Sequence, residues 1–109
     1  MSTYSVGLVG ESNYQEAIRA CRAGERVEVV HEVGNPYDEQ ALAVVTGRGA
    51  TIGYVPRSSW LRDAIHDEGQ GCSATIRSVG RGERGLLGVV IEVTLNAGAL
   101  ASRAYSRAR

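Results

Sequence analysis

Apolar and polar positions along this chain fall into short alternating blocks separated by glycine-rich turns. Tyr4 to Val9 alternates loosely and predicts a short strand. In the next block, GESNYQEAIRACRAGE, Tyr14, Ala17, Ile18 and Cys21 recur at i, i+3, i+4 and i+7, the spacing of one apolar helix face. Ser12 and Gln15 stand at capping-box spacing at its start, and Gly24 ends it. RVEVVHE, residues 26–32, reads as a half-buried strand with Val27 and Val29 on one face and Val30 on the other. VGNPYD then sets a bulky Tyr37 among turn formers. Asn35, before a proline, is biased to an extended conformation, and Pro36 suits the first central position of a type I turn. ALAVVT and ATIGYV, residues 41–46 and 50–55, are two further strands about the turn Gly47-Arg48-Gly49, and the three form a meander. After Pro56, Ser58 or Ser59 caps a second helix running to about Glu68. Its apolar side is Trp60, Leu61, Ala64 and Ile65, with Trp60 expected in the core. CSATIRSV and LLGVVIEVTL make two more strands joined by GRGERG. The order β-α-β-β-β-α-β-β predicts a mainly β fold: six short, mainly antiparallel strands and two flanking helices. Closure into a small barrel buries both sheet edges. Residues 1–95 form this domain, and the Arg/Ala-rich tail 96–109 reads as a short helix or a disordered segment.

Composition removes several classes of chemistry. All twelve cations are arginine, so a phosphate-loop GxxxxGK[ST] and a Schiff-base lysine are both absent. Gly80-x-Gly82-x-x-Gly85 matches a dinucleotide fingerprint in spacing. It leads into a β-branched strand where that fingerprint needs a helix, so it reads as a hairpin loop and no cofactor is expected. Cys21, Cys72, His31 and His66 do not have zinc-ligand spacing, and no metal site is expected. Neither histidine belongs to a nucleophile constellation, and no third carboxylate joins Glu32, Asp38 or Glu39, so a metal-dependent nuclease ranks a distant third. The absence of a long apolar run and of a signal-like N-terminus points to the cytoplasm and away from membranes.

Charge narrows the partner. The formal net charge is zero. Arg103, Arg107 and Arg109 lie in residues 97–109 without an acid, which leaves nine arginines against twelve acids elsewhere, a net of −3. A protein that coats long duplexes would be more basic, so a nucleic-acid site here has to be small and local. From the residues alone, Tyr37 and Asp38 have a structural reading: a ring covering the barrel end, and a carboxylate bonded to amides of its own turn.

VGESNYQ, then HEVGNPYDEQALAV, then TIGYVPR resemble the HIRAN family in its standalone bacterial-type form, over about Ser5 to Leu95. The resemblance implies an OB-like or SH3-like six-stranded antiparallel barrel with flanking helices. It also implies a non-catalytic module that binds the 3′-OH end of single-stranded DNA in repair or replication-fork processing. A helicase or nuclease would be supplied in trans. Carried over by motif, the turn tyrosine that stacks on the terminal base falls on Tyr37. The aspartate that accepts from the 3′-hydroxyl falls on Asp38, the ring after the strand glycine on Tyr54, and the phosphate-facing cation on Arg57. Animal members also place an arginine and an aromatic just after the first strand. Gly10-Glu11-Ser12-Asn13 stands there in this chain, and Tyr14 is the nearest aromatic. The alternative is a protein-interaction module on the same barrel, without nucleic acid.

Overall fold

The predicted strands form in the computed structural model, which describes residues 3–98 and 100–105. The strands are β1 (Thr3–Gly7), β2 (Arg26–Val33), β3 (Leu42–Thr46), β4 (Thr51–Tyr54), β5 (Gly71–Arg81), β6 (Leu87–Asn96) and β7 (Ala101–Ala104). The helices are α1 (Gln15–Arg19) and α2 (Trp60–His66). The first six strands form one curled antiparallel sheet in the order β1-β6-β5-β2-β3-β4. An antiparallel bridge between Val9 and Tyr54 then brings the two edges of this sheet together, with amide-to-carbonyl distances of 2.9 Å in both directions.

That bridge explains the glycine in TIGYV. A Cβ on Gly53 would lie 3.1 Å from both Leu8 Cβ and Val9 O, at a φ of 156°. Only a residue without a side chain lets β1 and β4 approach this closely. A bulge accompanies it, because Val44 pairs with Gly53 and Val45 with Thr51, leaving Ile52 as the extra residue. The bulge changes the side-chain parity of β4. Ile52 packs in the main core while Tyr54 packs on the opposite face, against Val30, Ala43 and Val45. β3 is therefore buried on both faces, which accounts for the unbroken apolar run ALAVVT.

Both helices close the barrel as their periodicity predicts, with Ile18 and Cys21 of the first and Leu61 and Ile65 of the second in the main core. Ser59 caps α2 by accepting from the Leu61 amide at 3.2 Å.

Four expectations need correction. The Ser12–Gln15 capping box does not form, and a 3-10 turn at Glu11–Asn13 precedes α1 instead. Gln15 bonds to both the amide and the carbonyl of Leu87, at 2.8 and 2.9 Å, and so acts as an extra rung beside β6. Trp60 is not in the core. It is 41% exposed and packs edge-on against Tyr4, with ring centroids 4.4 Å apart, because α2 turns its 61/65 side inward.

Among the described residues the sheet has seven strands, not six, and one of its pairings is parallel. The tail expected as helix or disorder supplies that seventh strand: β7 runs parallel to β2, with Val30 opposite Ala101 and Val33 opposite Ala104. β5 pairs with β2 only at Arg26 and Val27, so the rest of that edge offers unpaired backbone groups for β7 to satisfy. Arg107 and Arg109 lie outside the described residues.

Candidate nucleic-acid interface

The NPYD turn is built from its own residues. Asn35 accepts the Tyr37 amide on its side-chain oxygen at 2.8 Å, an Asx turn, and the Asp38 amide returns to the Asn35 carbonyl at 3.3 Å. The side-chain nitrogen of Asn35 donates to Glu32 at 3.1 Å, which anchors the turn to β2. From behind, His31 and His66 reach the carbonyls of Glu39 and Gln40 at 2.8 and 3.0 Å, with their rings edge to face. A turn pinned from three sides leaves Tyr37 pointing outward, 77% exposed. It does not plug the barrel.

Asp38 is held asymmetrically. Its Oδ1 accepts from Arg62 at 2.8 Å and from the Gln40 amide at 3.1 Å. Its Oδ2 has Arg57 Nε at 3.7 Å, beyond ordinary hydrogen-bond distance. Burial raises the pKa of this carboxyl, but the Gln40 amide and the two guanidinium groups outweigh burial and bring it below its ordinary value. The carboxylate is thus ionised, fixed through one oxygen, and free of any short bond at the other among the described residues. Arg57 is 71% exposed on its side chain and donates to the Tyr37 carbonyl, so the cation is tethered to the same turn.

Tyr54 lies across from this turn. Its hydroxyl donates to Glu32 at 2.7 Å, and burial together with that bond pushes its ionisation well above the ordinary tyrosine value. The hydroxyl is committed to Glu32, and the ring is what remains for a ligand. Tyr14 approaches it with ring centroids 6.2 Å apart. Tyr14, Tyr37, Asp38, Tyr54 and Arg57 all line one groove of about 380 Å³. Glu11, in the segment Gly10-Glu11-Ser12-Asn13 where the resemblance implied an arginine in animal members, is turned aside. Its carboxylate accepts the Val89 amide at 3.1 Å and lines a neighbouring concavity.

Three residues of the site escaped the sequence. Arg62, the buried partner of Asp38, is one; its signal was its place one turn before Ile65, at the margin of the buried face. Glu32 is another. It is fully buried and accepts from Tyr54, Asn35 and Arg103, the last at 2.8 and 3.2 Å. Burial raises its pKa, and the bonds from Tyr54 and Arg103 more than offset that, so its carboxyl lies below the ordinary value. Arg103 also donates to Thr51 at 2.7 Å. This tail arginine is therefore a structural clamp. The third residue is Tyr105, which follows β7 and lines the groove. Among the described residues no cluster of His, Cys, Asp or Glu is arranged to hold a metal ion, and no helix is long and apolar enough to cross a membrane.

Comparison with known proteins gives a family model match over residues 2–94, to the HIRAN domain. No curated protein matches the sequence. Among solved structures, the crystal structure of the HIRAN domain of human HLTF is similar with a TM-score of 0.66 at 17% identity, covering 86% of this chain and 74% of that one. The crystal structure of a Lactobacillus plantarum protein is similar with a TM-score of 0.57 at 22% identity, covering 84% of this chain and 98% of that one. At these identities the likeness is one of fold.

Proposed function

The chain belongs to the HIRAN domain family, a family of DNA-binding and generally non-catalytic modules, and from that premise we propose that its groove takes the 3′-OH end of single-stranded DNA. The observation that carries this reading is the convergence of an exposed ring, a half-satisfied carboxylate and a tethered arginine in one groove. Tyr37 offers its face to the terminal base, an interaction worth roughly 1–3 kcal/mol and tolerant of sequence. A carboxylate repels phosphate, so Asp38 suits a terminus that offers a hydroxyl. Oδ2 accepts that hydroxyl in a charge-assisted bond. Arg57 sits beside it for the phosphate one nucleotide in, and Tyr54 and Tyr14 wall the far side. In this reading the protein recognises DNA ends in the cytoplasm during repair or fork processing, and a separate helicase or nuclease acts on what it holds.

Fluorescence anisotropy with short single strands ending in 3′-OH or 3′-phosphate tests the reading. A hydrogen bond to a charged group contributes about 1.5–3 kcal/mol, so hydroxyl ends should bind at least tenfold more tightly. Tyr37→Ala should weaken them about tenfold. Equal affinity for the two ends sinks the 3′-OH reading, and no binding at low salt sinks DNA binding altogether and leaves a protein-interaction module.

A further inference from the structure

Four of the five tyrosines in this chain, Tyr14, Tyr37, Tyr54 and Tyr105, line the same groove. The first three lie inside the span matched to the family. Tyr105 lies eleven residues past its end at residue 94, in a segment whose sequence gave no sign of a site. Its placement is nevertheless determined. β7 fills the edge of β2 that β5 leaves open. Arg103, on that strand, is pinned to the buried Glu32 and to Thr51. The Tyr105 amide donates to the Val33 carbonyl at 2.8 Å. Val33 is followed at once by the turn that carries Tyr37. The backbone of Tyr105 is therefore fixed at the root of that turn, one hydrogen bond beyond an ion pair that is itself part of the Tyr54–Glu32 network.

A tyrosine held only for packing would join an apolar cluster. Tyr105 belongs to neither of the two clusters of the fold, and what it lines is the groove. We propose that Tyr105 is a further binding residue, an aromatic wall for a nucleobase of single-stranded DNA, and that the complete site includes the C-terminal strand outside the family span. This rests on the end-binding reading given above. The chemistry is that of the other rings: a π-face accepts any base, and removing one such face weakens binding about tenfold.

The test uses the full chain, a 3′-OH oligonucleotide, and Tyr37→Ala, Tyr105→Ala and Tyr105→Phe. Tyr105→Ala is expected to weaken binding about tenfold, while Tyr105→Phe, which keeps the ring, stays within about twofold of the parent chain. Because the alanine variant could also loosen β7, photo-crosslinking on the unaltered protein gives a second reading. Oligonucleotides carrying 5-iodouracil at the terminal or penultimate position should label the tryptic peptide of residues 104–107 as well as the peptide containing Tyr37. If Tyr37→Ala loses affinity while Tyr105→Ala does not, or if peptide 104–107 is never labelled although the Tyr37 peptide is, this inference falls and the end-binding reading stands. If the parent chain binds no end, both fall together.

Discussion

Replacing Glu32 with glutamine probes the joint that holds the groove to the barrel. In the native protein the carboxylate accepts four hydrogen bonds, from Tyr54, from Asn35, and twice from Arg103. Glutamine is nearly isosteric but presents an NH₂ on one side. Whichever way the amide turns, that NH₂ faces either the guanidinium or the Tyr54 and Asn35 donors. At least one buried donor loses its acceptor, at about 1–3 kcal/mol, and Arg103 loses its counter-charge. Removing one partner of a fully buried pair costs about 3–5 kcal/mol, but Arg103 keeps 29% of its side chain exposed and rehydrates in part. A total near 3 kcal/mol is expected. At about 4–8 °C per kcal/mol for a domain of this size, Tm should fall by roughly 12–24 °C at pH 7.

The effect has a definite pH dependence. Burial opposes ionisation of Glu32, the bonds from Tyr54 and Arg103 outweigh burial, and its folded pKa is depressed. The folded state therefore binds this proton more weakly than the unfolded state. The stabilisation is fully present above the unfolded value of about 4.3 and is lost as pH falls through the folded value. The gap in Tm between parent and variant should be widest near neutrality and narrow steadily below about pH 4. Thermal melts followed by circular dichroism from pH 3 to 7 would measure it. A variant within 3 °C of the parent, a threshold below about 1 kcal/mol, or a gap that does not change with pH, refutes the account of Glu32 as an ionised hub.

Two further substitutions address the closure and the carboxylate. Gly53→Ala should cost about 1–3 kcal/mol in urea unfolding, because its Cβ meets Leu8 and Val9 at 3.1 Å on backbone favourable to glycine; a cost under about 0.5 kcal/mol, the size of an ordinary surface change, would show that the β1–β4 approach is slack. Arg62→Met removes the short bond to Asp38 Oδ1, so the Asp38 carboxyl should titrate closer to the ordinary aspartate value in an NMR pH series. An unmoved titration would mean that the Gln40 amide and Arg57 hold the carboxylate by themselves.

What was legible in the sequence is what is local. The Ser59 cap, the turn after Asn35 and the apolar helix faces apart from Trp60 each depend on residues within a few positions, and each is realised. The errors share a cause, which is dependence on distant partners. Nothing in RVEVVHE marks Glu32 as buried, because what makes its burial tolerable is an arginine 71 residues away. Gln15 resembles a capping residue until Leu87, 72 residues on, offers it both an amide and a carbonyl. Strict alternation along TIGYV would put Ile52 and Tyr54 on one face, and the bulge at Ile52 separates them. The glycine in that motif was the available hint, since an isolated glycine in a strand often marks a bulge or a close backbone approach.

The charges of the groove argue for an end over a tract. A site that tracks a polyanion multiplies exposed cations along its path. Among the described residues lining the groove, Arg57 is the one arginine. Arg62 is buried behind Asp38, and Arg103 is turned into Glu32. Among the described residues, two of these three arginines thus fix carboxylates and leave little charge for a backbone. Under the proposed function the four tyrosines would supply stacking surface indifferent to sequence, and one carboxylate, half-satisfied and ionised, would select against phosphate at the point it faces. A continuous strand would place a phosphate there. A terminus with a free hydroxyl would not, and it alone turns the Asp38 charge from a penalty into a bond.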